Sequence, residues 1–187
     1  MNRDTLIYRL NSQDELIYVN EEWVAFAHVN DSPELLPENV LGCSLWNFIS
    51  DETTRQLYRE ILRQVRAGRS TNFIFRCDTP EYRRHLEMTI SAQDDGVVQF
   101  ATRVLRKEAR QRQDLLGRYV PRTDDLLRIC GWCKRVDVGG ERWEEVEEAV
   151  RTLSLFEQNP LPCLTHGICE VCYEVVRNKL YQQRKSA

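Results

Sequence analysis

Two short cysteine clips, Cys130-Gly131-Trp132-Cys133 and Cys169-Glu170-Val171-Cys172, are the residues best suited to chemistry in this chain. A C-x-x-C turn lets both of its thiolates face one ion, and two such turns supply the four soft ligands of a tetrahedral centre. Metal binding lowers the thiol pKa and releases the protons. Four cysteine ligands leave no position open for water, which describes structural zinc rather than a catalytic metal. The ligand set that the spacing predicts is Cys130, Cys133, Cys169 and Cys172. His166 lies three residues before Cys169; it either replaces one cysteine or orients a thiolate from outside the ligand shell. An iron–sulfur cluster uses the same four thiolates, and spacing does not separate it from zinc. The competing structural reading is four reduced thiols packed in a small core.

Other cysteine chemistry fits less well. Covalent c-type haem needs C-x-x-C-H, whereas Lys134 and Tyr173 follow the two clips. A thioredoxin-like dithiol belongs in a βαβ setting, and none is legible here. Cys43 and Cys77 read as core or strand residues, while Cys163 lies close to the second clip. No phosphate loop, nucleophile elbow, kinase signature or metalloprotease helix is present. No catalytic residue is therefore nominated, and no enzymatic activity is expected. His28 and His85 are conceivable haem ligands, but surface or hydrogen-bonded roles suit them better.

The clips need elements to position them. Leu126 to Cys133 reads as a short β-like entry to the first, and Gly139-Gly140 as a turn. Trp143, Val146, Val150 and Leu153 fall on one helical face, with Glu144, Glu145, Glu147 and Glu148 spread over the rest as a solvated charge run. Pro160 and Pro162 break the chain before the second clip. Cys172 then opens a helix through Val175, Val176, Lys179 and Leu180.

Upstream, Leu6 and Tyr8, then Leu16 and Tyr18, alternate in two strand-like runs around the turn Asn11-Ser12-Gln13-Asp14. Trp23, Phe26 and Ala27 share a helical face. Val40 to Ile49 is apolar enough to be core. Thr53-x-x-Gln56 fits a capping box for a helix carrying Leu57, Ile61 and Val65 and closed by Gly68. Three strand-like runs follow, marked by Phe73 and Phe75, by Leu86, Met88 and Ile90, and by Val98, Phe100 and Val104, with turns at Asp78-Thr79-Pro80 and Asp94-Asp95-Gly96. Two strands, short helices and three strands predict an α+β fold: a five-stranded antiparallel sheet with helices on one face. Residues 105–116 lack breakers and are rich in Arg, Lys, Glu and Gln, which predicts a connecting helix.

Asp14-Glu15-Leu16-Ile17-Tyr18-Val19-Asn20-Glu21-Glu22-Trp23 resembles the opening of a PAS domain, where a strand ends in Asn and a helix follows. Leu41-Gly42-Cys43-Ser44-Leu45-Trp46-Asn47-Phe48-Ile49 is similar to the segment entering the later PAS helices. Phe75-Arg76-Cys77-Asp78 with Arg83-Arg84-His85-Leu86-Glu87-Met88 resembles the strand pair that follows. The resemblance covers residues 1–108. It implies a sensor or interaction module whose cavity, if open, would be lined by Trp23, Phe26, Trp46, Phe73, Phe75 and Phe100. The ligand is unknown. The flavin-adduct run Asn-Cys-Arg of photosensory relatives is missing. Ile129 to Arg135, Trp143 and Thr165 to Cys172 resemble small Cys/His tails found on some bacterial sensor proteins. The organisation expected is residues 1–108 as a PAS-like domain, 109–125 as a connecting helix or linker, and 126–187 as a Cys-rich metal-stabilised module.

Composition bounds the partners. The 187 residues are 42% hydrophobic and 29% charged, with net charge −3, which suits a globular protein and argues against general nucleic-acid binding. Charge is locally uneven. Arg103, Arg106, Lys107, Arg110, Arg112, Arg118 and Arg122 precede an acidic stretch with Asp137, Glu141, Glu144, Glu145, Glu147, Glu148 and Glu157. Met1-Asn2-Arg3-Asp4 shows no apolar leader, and no apolar run approaches the ~20 residues that span a bilayer. A cytoplasmic setting is expected, where thiols stay reduced. The reading is a bacterial signalling protein without its own catalytic output. It would act through a protein partner or a homodimer and carry a structural zinc, with no membrane contact. The alternatives are a redox- or cofactor-responsive sensor using haem, flavin or iron–sulfur, and a nucleic-acid-binding regulator using the basic helix.

Overall fold

A computed structural model describes residues 5–185. The reading of Met1-Asn2-Arg3-Asp4 lies outside the described residues. The chain divides into two compact units. One comprises Met1–Ile74, Glu87–Val104 and Val176–Ala187; the other comprises Phe75–Leu86 and Leu105–Val175. Three strands and one helix cross from one unit to the other.

Five strands, β1 (Thr5–Leu10), β2 (Leu16–Val19), β3 (Thr71–Arg76), β4 (Tyr82–Ala92) and β5 (Val98–Ala109), form an antiparallel sheet in the order β2-β1-β5-β4-β3. The helices α1 (Glu21–Val29), α2 (Pro37–Val40) and α3 (Glu52–Arg66) lie between β2 and β3 in the chain. This is the α+β arrangement that the element order implies. The first hairpin closes because Asn11 Oδ1 accepts the N–H groups of Gln13 and Glu15, each at 2.9 Å, while Asp14 takes a left-handed φ of 63°. Asn20 ends β2 and caps α1, its Oδ1 accepting from Trp23 N at 3.1 Å. Tyr8 stacks on Phe100 with centroids 4.4 Å apart and meets Trp23 edge-on at 5.5 Å.

In α3 the stripe Leu57, Ile61 and Val65 is buried as its spacing predicts, and Gly68 closes the helix at φ +87°. The start differs from the expected Thr53-x-x-Gln56 box. Asp51 is the cap, its Oδ2 accepting from both Thr54 N and Thr54 Oγ1 at 2.7 Å. A carboxylate two residues earlier, just outside the helix, satisfies the free N–H groups better than a hydroxyl already inside it. The Val40 to Ile49 segment is only half core: Val40 and Leu45 are buried, whereas Leu41 and Phe48 are exposed.

The connecting helix expected over residues 105–116 and placed in the 109–125 linker is absent. Residues 105–109 continue β5, Asp114–Leu116 is a single 3-10 turn, and the chain then enters β6 (Arg122–Cys130). Helix propensity is worth less than about 1 kcal/mol per residue, and tertiary pairing overrides it. Arg110 N donates to Glu81 O, Gln113 N donates to Pro80 O, and the Lys107 ammonium sits 3.8 Å from the Tyr82 ring centre.

The second unit holds a four-stranded sheet, β8 (Trp143–Glu144), β7 (Val136–Asp137), β6 and β9 (Leu161–Gly167), in the order β8-β7-β6-β9. β9 pairs parallel with β6, and α4 (Val146–Thr152) lies in the connection between them. Two expectations are corrected. The segment with Pro160 and Pro162 contains a strand, because β9 is an edge strand, where a missing N–H is tolerated. A parallel β–α–β setting, not legible in the sequence, is therefore present. Trp143 belongs to β8, paired with Asp137, rather than to the helix. Leu115, Ile129, Val136, Val146 and Leu161 form the core of this unit. The last helix, α5 (Glu170–Lys185), begins at the second clip. Among the described residues, no helix is long and apolar enough to cross a membrane.

Candidate metal centre

Parallel pairing carries both clips to the same end of the second sheet. Cys130 is the last residue of β6 and stands in register with Gly167 at the end of β9. Beyond these strand ends the chain turns twice to bring the sulfurs together. In the first clip, Gly131 N donates to Gly167 O at 2.8 Å and Lys134 N to Cys130 O at 3.0 Å, while Cys130 N donates to Arg135 O. The left-handed residue is Lys134, at φ 61°. A Cβ at Gly131 would sit 3.6 Å from Gly167 O, an ordinary contact, so the turn does not require glycine there. In the second clip, Cys169 N donates to Cys130 Sγ at 3.4 Å, and Cys172 lies in the first turn of α5.

The four ligand atoms of Cys130, Cys133, Cys169 and Cys172 all lie within 4.8 Å of one another, with Cys133 Sγ and Cys169 Sγ 3.7 Å apart. A zinc–sulfur bond of about 2.3 Å in a tetrahedron gives a sulfur–sulfur edge of about 3.8 Å. The donor set can therefore hold a metal ion. His166 is exposed on β9 and is not among the clustered ligands. Cys43, Cys77 and Cys163 also lie outside the cluster. Cys43 Sγ donates to Asn39 O, and Cys77 Sγ accepts from Arg84 Nη2.

The electrostatics call for a cation. Hydrogen bonds from Cys133, Cys169 and Cys172 lower the Cys130 thiol pKa, so the first negative charge is welcome. Cys133 and Cys172 are raised instead, chiefly because each is hydrogen-bonded to Cys130 as a neutral thiol, with Cys169 and burial adding to the rise. At Cys169 the neighbour Cys130 pushes up and Cys133 and Cys172 pull down, leaving it near pKa 7. A divalent ion removes this conflict and makes all four thiolates together favourable. The resulting centre would carry two negative charges. Arg135 and Lys134 follow the first clip: Arg135 is held by Glu145 and attracted by Cys133 and Cys169, while burial destabilises the Lys134 ammonium against the opposing pull of Cys77, Asp78 and Cys130.

An arginine–carboxylate web that the sequence did not reveal surrounds the first clip. Arg76 N donates to Trp132 O, inside the clip, at 2.7 Å. Its guanidinium reaches Asp78 at 2.5 Å and Glu145 at 2.6 Å. Arg110 reaches Asp78 at 3.2 Å and Glu147 at 3.3 Å, Arg83 reaches Glu147 at 3.0 Å, and Arg135 reaches Glu145 at 3.3 Å. The Asp78 side chain is fully buried. Glu145 and Glu147, expected on a solvated face, are in fact ligands for arginines. The sequence signal was Arg76-x-Asp78 beside a strand end, which is too common a pattern to single out.

Much of the basic stretch has partners as well. Arg110 is taken up by the web, Arg106 pairs with Glu108, and Arg112 with Asp114 and Glu81. Arg122 donates to the carbonyls of Leu115, Gly117 and Pro162. The basic helix invoked for nucleic-acid binding is thus replaced by strand and loop whose cations largely have partners. In the other unit His28 is exposed on α1, while His85, in the cysteine-bearing unit, is half-buried on β4. Of the aromatics expected to line a cavity, Phe73 and Phe100 are buried. The indoles of Trp23 and Trp46 are anchored on Leu35 O and Asp14 Oδ2.

No family model matches the chain. No curated protein matches it either. Among solved structures, the chain is similar to a domain of an HTR-like protein from Haloarcula marismortui ATCC 43049. The match has 17% sequence identity and a TM-score of 0.34, and covers 55% of this chain and 98% of that one.

Proposed function

We propose that this is a bacterial, cytoplasmic signalling protein of PAS type that carries a structural zinc in its Cys-rich unit and has no catalytic output of its own. It acts through a protein partner or as a homodimer. The observation that carries the zinc reading is the convergence of Cys130, Cys133, Cys169 and Cys172 within 4.8 Å at the ends of two parallel strands. Four sulfurs and no water position describe a closed site, which stabilises a fold rather than activating a substrate. The PAS reading is supported by the sequence motifs and by the five-stranded antiparallel sheet with helices between its second and third strands. Elemental analysis and an absorption spectrum of protein purified without added metal test the proposal. About one zinc per chain and no visible band is the expected result. A visible charge-transfer band would assign iron to the same thiolates, and a metal-free, fully folded chain would end the metal reading.

A further inference from the structure

We infer that the β3–β4 connection with its flanking strand ends, residues 75–86, is ordered by the metal: the ion that fixes the first clip also fixes this segment, although no ligand lies on it. The inference rests on the metal reading above. Phe75–Leu86 belongs to the same compact unit as the cysteine cluster, and what holds it there converges on the clip. Arg76, the last residue of β3, gives its backbone N–H to Trp132 O. Trp132 sits between two of the four cysteines and is itself buried. The position of that carbonyl depends on whether Cys130 and Cys133 face a common ion.

The side chains repeat the dependence. Asp78 accepts from the Arg76 guanidinium and from Arg84 N at 3.2 Å and pairs with Arg110, which ties the turn of the segment to its root. Arg76 also reaches Glu145, and Glu145 holds Arg135, two residues past Cys133. A fully buried carboxylate is tolerated only while its cations stay in place. Opening the clip withdraws the Trp132 carbonyl and loosens Arg135, so Arg76 loses a backbone partner and its carboxylates lose their arrangement. The web and the ion are then linked. Whatever the metal contributes to ordering residues 75–86, the web returns to metal affinity by the same factor.

Hydrogen–deuterium exchange on the full chain, metal-loaded and after treatment with a strong chelator, tests this. Chelation is expected to accelerate exchange at least about tenfold in 76–86 as well as in 130–135 and 169–172, with α3 residues 57–65 unchanged. Acceleration at the clips with 76–86 still protected overturns the inference and leaves the metal reading intact. A chain that holds no metal overturns both. As a second measure, Asp78→Asn is expected to release zinc to a chromophoric chelator at about one-tenth the competitor concentration that wild type requires. Wild-type retention in that variant also overturns the inference.

Discussion

The two sheets of this chain are held together by different chemistry. In the unit that holds β1 and β2 the stabilising groups are apolar: Phe100, Ile90 and Val98 from the strands, with Ile61 and Val65 from α3, are fully buried. Each such side chain contributes about 1.5–3 kcal/mol on leaving water. The unit with the four-stranded sheet has its own apolar core, around Ile129, Val136 and Val146, but two of its strands are only two residues long. It adds a cluster of four thiols and a buried ionic web. Apolar packing is indifferent to chelators and mild acid, whereas both additions respond to them. One chain therefore combines a unit stabilised by burial with a unit that can be loosened by solution chemistry.

Removing the metal should separate the two most sharply. Structural zinc supplies apparent binding energies of about 10–16 kcal/mol in small folded modules. Chelation, or Cys169→Ser, is expected to abolish the unfolding transition of the cysteine-bearing unit in calorimetry and leave that of the other unit. Next, Asp78→Asn leaves two arginines facing a neutral amide. It is expected to cost about 3–5 kcal/mol, measured by denaturant unfolding of the metal-loaded protein. Ile61→Ala is the converse probe. A loss of about 2–5 kcal/mol is expected, with zinc content unchanged on elemental analysis.

Smaller effects sharpen the same contrast. Asp51→Ala should destabilise α3 by about 0.5–2 kcal/mol, while Thr53→Ala stays near neutral, as read by thermal unfolding. Glu145 reports the pH response of the web. Burial alone would raise its pKa, but hydrogen bonds and charge from Arg76, with Arg135 and Arg83, outweigh it and lower the value. A depressed carboxylate stabilises the fold above its unfolded pKa of about 4.3 and loses that contribution as pH falls through the lower folded value. The stability gap between wild type and Glu145→Gln, measured at equal metal loading, should therefore be full near neutrality and close on acidification.

Much of this contrast was legible in the sequence, but not all of it. The clips were visible because C-x-x-C chemistry is local, and the α3 stripe because its period is local. The helix forecast over residues 105–116 failed because those residues are good helix formers that nonetheless pair with Pro80 and Glu81. β9 was hidden by prolines that an edge strand accepts. The web was hidden most completely: Asp78 and Glu145 lie far apart in sequence, and nothing near either shows that Arg76 will bring them together. Periodicity reports burial, while ion pairs across a fold leave no periodic mark.

The register of β6 on β9 has a consequence for assembly. Ile129 faces His166 and Cys130 faces Gly167, and a slip of one residue would displace a strand end by about 3.3 Å. That is more than a metal–sulfur bond length, so a mispaired sheet cannot offer four donors at once. Parallel pairing across a long connection is slow to form and prone to error. An ion bound there would thus act as a gauge that proofreads strand alignment, rewarding the one registration in which all its bonds close.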